Sequence, residues 1–126
     1  MSKGIILIVD DAANIRNLLD LNITAAGFTT LLAQNGREGL ELLQTHPVAL
    51  VVLDVMMPEM DGWEFCKIVR DHPRLSQTKI LMLTAKDSPR DRLIGKEILQ
   101  ADEYMTKPFE INVLLAEIEK QLGALS

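Results

Sequence analysis

The chain has one cysteine, Cys66, and so no internal disulfide. That usage fits a reducing compartment, and a cytoplasmic location is expected. Aromatic residues are scarce, at 4% of the total, with Trp63 and Tyr104 the sole tryptophan and tyrosine. No apolar run approaches the roughly 18 residues of a membrane span. Met1-Ser2-Lys3-Gly4 leads into apolar sequence without the regions of a signal peptide. Clustered basic residues are also missing: 13 Lys and Arg are scattered among 18 acids, for a net charge of -5. Phosphate backbones and anionic membranes are bound by clustered cations, so neither nucleic acid nor membrane is an expected direct partner. No Gly/Ser/Pro linker, repeat or low-complexity segment divides the 126 residues. They suffice for one sizeable core, and a single domain over 1–126 is expected.

What is present is an alternation of apolar runs and helical stripes. The stretch Val51-Val52-Leu53-Asp54-Val55-Met56-Met57-Pro58 dominates it. The run from Val48 to Leu53 does not alternate, as in a strand covered on both faces of a parallel sheet. It ends in Asp54, and Pro58, Asp61 and Gly62 soon break regular structure. Ile5 to Val9 reads as a first strand, followed at once by Asp10 and Asp11. From Ala13 the pattern turns helical, with Ile15, Leu18, Leu19 and Ile23 as the apolar stripe and Gly27 as the stop. Phe28 to Ala33 is a second strand, less apolar and so nearer an edge. Asn35-Gly36 announces a second helix with Leu40 and Leu43 inward, ending before Pro47.

After the Asp54 strand, a third helix opens at Asp61-Gly62 and carries Phe65, Ile68 and Val69 towards His72-Pro73. Lys79 to Leu83 is a fourth strand ending at Thr84-Ala85. Ser88 as N-cap with Pro89 at the first helical position starts a further helix to about Leu99. Glu103-Tyr104-Met105 is a short fifth strand. Beyond Lys107-Pro108, a last helix puts Ile111, Leu114, Leu115, Ile118 and Leu122 on one face. Five βα units in alternation give an α/β fold: a doubly wound parallel sheet with helices on both faces.

Parallel strands collect their carboxyl ends on one rim, where open α/β sheets place their ligands. Reading the residues just past each apolar run yields Asp10 and Asp11, Asp54, Thr84 and Lys107. Each alone has an ordinary reading as a cap or loop residue. Together they put carboxylates, a hydroxyl and an ammonium at one place. Crowded carboxylates repel unless a cation shares the site. Mg²⁺, hard and oxygen-seeking, is the natural candidate, with Mn²⁺ as a substitute. An aspartate so placed can attack a phosphoryl group, with Thr84 and Lys107 stabilising charge on its oxygens.

These motifs resemble the receiver domain of two-component response regulators. The likeness is carried by Asp10-Asp11, Asp54 with Met57-Pro58 and Met60-Asp61-Gly62, Thr84-Ala85, and Tyr104 through Lys107-Pro108-Phe109. It spans about Lys3 to Leu122 and is similar to the family's single-domain chemotaxis members. It implies a flavodoxin-like (βα)5 fold of strand order 2-1-3-4-5, an order borrowed from the family and not read from periodicity. Asp54 is then the phosphoacceptor, taking its phosphoryl group from a phosphohistidine of a histidine kinase or histidine phosphotransfer protein. Asp11 and Asp54 would bind Mg²⁺ directly, with Asp10 assisting through water and the Met56 backbone carbonyl adding an oxygen. Thr84 and Tyr104 would be the switch pair, Tyr104 turning inward when Thr84 moves. Ala85, Met56 and Lys86 would govern access to the phosphoryl site, and Lys107–Pro108 would be a cis peptide. Met56 cannot hydrogen-bond an attacking water, so slow self-dephosphorylation is expected. The output face would be the helix over 88–99, the fifth strand and the last helix, with a monomer able to dimerise there on phosphorylation.

Three other functions are weighed against this one. An aspartyl-phosphate phosphatase needs a second acid two residues past its nucleophile, where this chain has Met56. A flavin-binding protein needs a Ser/Thr/Gly-rich loop after the first strand, where this chain has Asp10-Asp11-Ala12-Ala13. A non-phosphorylated docking module typically lacks an acid or the lysine, and here all are present. The expectation is a signalling switch, not a turnover enzyme. Few residues follow Leu122, leaving open a stand-alone regulator or a receiver cut from a longer chain. Gln100-Ala101-Asp102 stands where the family usually has a Gly-Ala-Asp turn. His46, His72 and Cys66 read as surface or packing residues, not as phosphate carriers or a reactive thiol.

Overall fold

The computed structural model describes residues 2–54, 62–84 and 101–122. Within them lie five strands and four helices. The strands are β1 (Ile5–Val9), β2 (Thr29–Ala33), β3 (Val48–Asp54), β4 (Lys79–Thr84) and β5 (Glu103–Thr106). The helices are α1 (Ala13–Ala25), α2 (Gly36–Thr45), α3 (Gly62–Asp71) and α4 (Ile111–Gln121). The expected helix over 88–99 lies outside the described residues.

All strand pairs are parallel, in the order β2-β1-β3-β4-β5. The apolar runs of β1, β3 and β4 occupy the centre because helices cover both of their faces. Alternate residues divide between two cores, as the two-residue period of a strand requires. Leu7, Val9, Val51, Leu53, Ile80, Met82 and Tyr104 meet Leu43 of α2 and Phe65 and Val69 of α3. Ile6, Ile8, Leu50, Val52, Leu81 and Leu83 meet Leu19 and Ile23 of α1 and Leu114 and Ile118 of α4. The more polar β2 is an edge strand, as its composition implies. Phe28, expected inside that strand, is buried one residue ahead of it.

The expected apolar stripes need two corrections. Leu18 in α1 is 44% exposed and Ile68 in α3 is 38% exposed. Each adjoins a fully buried neighbour, Leu19 and Val69. Consecutive helical residues point about 100° apart, so only one of each pair can face the sheet. The i,i+4 pairs Leu19–Ile23 and Phe65–Val69 take the inner face.

Local chemistry sets the helix ends. Asn35 caps α2 by accepting the Glu38 N–H at 2.9 Å, while the Glu38 carboxylate accepts the Gln34 N–H at 3.0 Å. Gly27 ends α1 at φ +105°, a backbone conformation that side chains rarely adopt. Gly39 lets α2 lie close to the sheet: a Cβ there would come within 3.0 Å of both Phe65 and Val9.

Candidate functional site

β1 and β3 run side by side with Val9 opposite Leu53, so the next residues, Asp10 and Asp54, emerge together at the carboxyl rim. Both are buried, at 1% and 5% exposure, whereas Asp11 is exposed. One carboxylate oxygen from each of Asp10, Asp11 and Asp54 lies within 4.8 Å of the others, a spacing able to hold a metal ion. Hard oxygen donors of this kind suit Mg²⁺.

Lys107 reaches this cluster from the far side of the sheet. Its Nζ donates to Asp10 Oδ2 at 3.2 Å and to Asp54 Oδ2 at 3.5 Å. Its backbone N–H donates to the Thr84 carbonyl at 2.8 Å, and the Lys107–Pro108 peptide is cis. Thr84 is fully buried at the end of β4 and stands opposite Thr106 of β5. The structure thus brings together Asp10, Asp11, Asp54 and Lys107, with Thr84 at the adjoining strand end.

The two ends of Asp10 are held differently. Oδ1 accepts the Ala12 N–H at 2.9 Å, tying the acid to the start of α1, while Oδ2 faces Lys107. The Asp10 carbonyl accepts a hydrogen bond from Arg16 Nη1 at 2.7 Å. Sequence reasoning missed Arg16. Nothing in the order of residues shows that a cation in the first turn of α1 folds back on the strand end.

Tyr104 is 1% exposed and packs in the core shared with α2 and α3. Met56, Ala85 and Lys86 lie outside the described residues. Among the remaining candidates, His46 is exposed and bonded to Thr45 Oγ1 at 2.9 Å, away from the rim. Cys66 is fully buried, and burial pushes its thiol up to about 11, followed by the smaller opposing influences of Arg70 and Asp102. A thiol so raised is almost entirely protonated near neutrality and therefore a poor nucleophile.

Among the described residues, no helix is long and apolar enough to cross a membrane. The profile of the response regulator receiver domain matches residues 6–119. The alkaline phosphatase synthesis transcriptional regulatory protein PhoP of Bacillus subtilis is 43% identical over 114 residues, which is 90% of this chain and 46% of that protein. The chain spans about half the length of the curated relatives it matches. The solved chemotaxis response regulator CheY4 of Vibrio cholerae superposes with a TM-score of 0.87 at 35% identity, covering 94% of this chain and 98% of that one. The BeF3-activated DrrB receiver domain gives a TM-score of 0.86 at 30% identity, covering 98% of this chain and 100% of that one. The chain whose rim gathers Asp10, Asp11, Asp54 and Lys107 therefore belongs to the response regulator receiver domain family.

Proposed function

We propose that this chain is a phosphorylation-controlled switch in which Asp54 accepts a phosphoryl group from a phosphohistidine on a histidine kinase or histidine phosphotransfer protein. The observation that carries the reading is the meeting of Asp10, Asp11 and Asp54 within 4.8 Å, with Lys107 bridging Asp10 and Asp54. In the transfer, a carboxylate oxygen of Asp54 attacks phosphorus. The new P–O bond forms as the P–N bond to the donor imidazole breaks, and the imidazole leaves as a neutral ring after taking a proton. Asp11 and Asp54 would hold Mg²⁺, with Asp10 assisting and Met56 contributing its carbonyl by family resemblance. Bound there, Mg²⁺ offsets charge between the carboxylates and the phosphoryl oxygens.

The remaining work belongs to the chain. Lys107 turns from its carboxylate partners to a phosphoryl oxygen, and Thr84 aims its hydroxyl at another. The added charge of about -1.5 to -2 rebiases β4 and β5, whose ends are joined by the Lys107 N–H to Thr84 carbonyl bond. Tyr104 on β5 follows Thr84 as the second half of the switch. The single domain spans 1–126 and acts in the cytoplasm through a protein partner.

The test is Mg²⁺-dependent labelling by acetyl phosphate or beryllofluoride, read by mass and by Trp63 fluorescence. Wild type should gain one metal-dependent adduct and a fluorescence change, and Asp54→Ala should gain neither. A labelled Asp54→Ala protein, or a wild type that never reacts, refutes the reading.

A further inference from the structure

We propose that Arg16 is a positioning residue for the acidic cluster, holding Asp10 and Asp11 at the spacing that a divalent cation needs. The inference rests on the reading that this cluster takes Mg²⁺, and it adds a side chain that acts through the backbone. The Arg16 guanidinium is half-buried and bonds the Asp10 carbonyl, and among the described residues it pairs with no carboxylate.

The carbonyl that Arg16 Nη1 grips at 2.7 Å belongs to the peptide unit joining Asp10 to Asp11. A peptide unit is planar, so fixing its oxygen fixes the direction in which both acids leave it. Asp10 has other anchors. Its N–H donates to the Ala33 carbonyl of β2 at 3.2 Å, and its carboxylate meets the Ala12 N–H and Lys107. Asp11 has none of this help: it is exposed, and among the described residues its carboxylate has no hydrogen-bond or ion-pair partner. The backbone alone aims it. Keeping its oxygen within 4.8 Å of those of Asp10 and Asp54 therefore depends on the peptide that Arg16 holds.

The helix itself gains little from a cation at this place. A positive charge in the first turn opposes the helix dipole, and α1 has neither an acid in that turn nor a side-chain cap from Ala12 to offset it. What arginine supplies beyond a neutral residue is the length and the donor to reach back to the end of β1. Its charge has a separate effect of opposite sign. A guanidinium beside a cation site repels the cation, so charge alone would make removal of Arg16 tighten metal binding. Positioning makes the same removal weaken it.

The experiment measures Mn²⁺ binding by electron paramagnetic resonance, and Mg²⁺ by competition, on wild type, Arg16→Met, Arg16→Lys and Ile23→Val. Ile23 is a fully buried residue of the same helix, so Ile23→Val loosens α1 from the core without touching the Asp10 carbonyl. Each protein is also unfolded in urea without metal. Arg16→Met should bind both ions about tenfold more weakly, as loss of a group that orients metal ligands does. Arg16→Lys keeps a donor and should lie closer to wild type. Ile23→Val should bind as wild type does, whatever its lower unfolding midpoint. Equal or tighter binding by Arg16→Met, where wild type binds, overturns this inference alone. So does an equal weakening in Ile23→Val, which would trace the effect to helix stability. A wild type that binds neither ion overturns the inference together with the reading beneath it.

Discussion

The two rims of the sheet use the same chemical groups in opposite balance. At the carboxyl rim, Asp10, Asp11 and Asp54 share Lys107, so acids outnumber the cation that bridges them. At the amino rim, Asp102 is paired with Arg70 at 2.9 Å and with Lys79 at 3.7 Å. Its Oδ2 also accepts the Ile80 N–H at 2.7 Å. Arg70 Nη1 donates to the carbonyls of Ser76 and Thr78, at 2.8 and 2.6 Å. One residue pair thereby ties together α3, the loop before β4, and the starts of β4 and β5. At the amino rim the Asp102 carboxylate is paired with two cations and bonded to the start of β4, an arrangement that serves stability. Among the described residues, the carboxyl rim crowds three carboxylates around one bridging lysine, an arrangement that repels unless a cation shares it.

The largest expected difference comes from deleting one acid at each rim. Asp102→Ala leaves Arg70 without its carboxylate and the Ile80 N–H without its acceptor, and should cost about 2–4 kcal/mol in urea unfolding. The variant should still form the acyl phosphate wherever it remains folded. Asp54→Asn should change stability by less than about 1 kcal/mol in metal-free buffer, because lost repulsion offsets the lost Lys107 contact. Yet it should abolish the adduct. If Asp54→Asn proves the more destabilising of the two, the division between a structural and a functional rim fails.

A second effect belongs to the amino rim alone, where Cys66 feels Arg70 and Asp102. Burial raises its thiol from 9.0 to about 11. Between these values the unfolded chain has released the proton and the folded chain has kept it, so stability falls as pH rises through the window. The loss should approach about 1 kcal/mol per pH unit, or about 2–3 kcal/mol in all. Because other groups also titrate there, the measurement is the difference between wild type and Cys66→Ala in chemical unfolding from pH 8 to 11. Parallel profiles for the two proteins would show that the thiol is not the source.

How far the sequence discloses each rim follows from the range of the interactions. β1 and β3 are legible as unbroken apolar runs, and the acids that end them, Asp10 and Asp54, are legible as neighbours because parallel strands share a rim. The matched pair at the other rim is not. Arg70 sits in the last turn of α3 and Asp102 follows 32 residues later, and each alone looks like a solvated surface charge. The available signal was Asp102 itself, in the sequence Gln100-Ala101-Asp102 that stands where the family usually has Gly-Ala-Asp, and it serves as the acceptor for the start of β4. Leu18 and Ile68 were misplaced for a local reason: two consecutive apolar residues in a helix leave the choice of inner residue to tertiary packing. Arg16 was invisible because its partner is a backbone carbonyl, which carries no signature in the sequence.

The smallest effect sharpens the comparison most, because it reads only the carboxyl rim. If Mg²⁺ binds folded protein through Asp11 and Asp54, unfolding in Mg²⁺ at about ten times its dissociation constant should require about 1.4 kcal/mol more than without it. Asp11→Asn and Asp54→Asn should lose that increment. Asp102→Ala should keep it in full, since the amino rim holds no part of the acidic cluster and distant sites add independently. The increment survives in a protein several kcal/mol less stable only if the two rims are energetically separate. Its disappearance in Asp102→Ala would mean that the Arg70–Asp102 pair positions β4 and β5 for the site, and that both rims serve the switch.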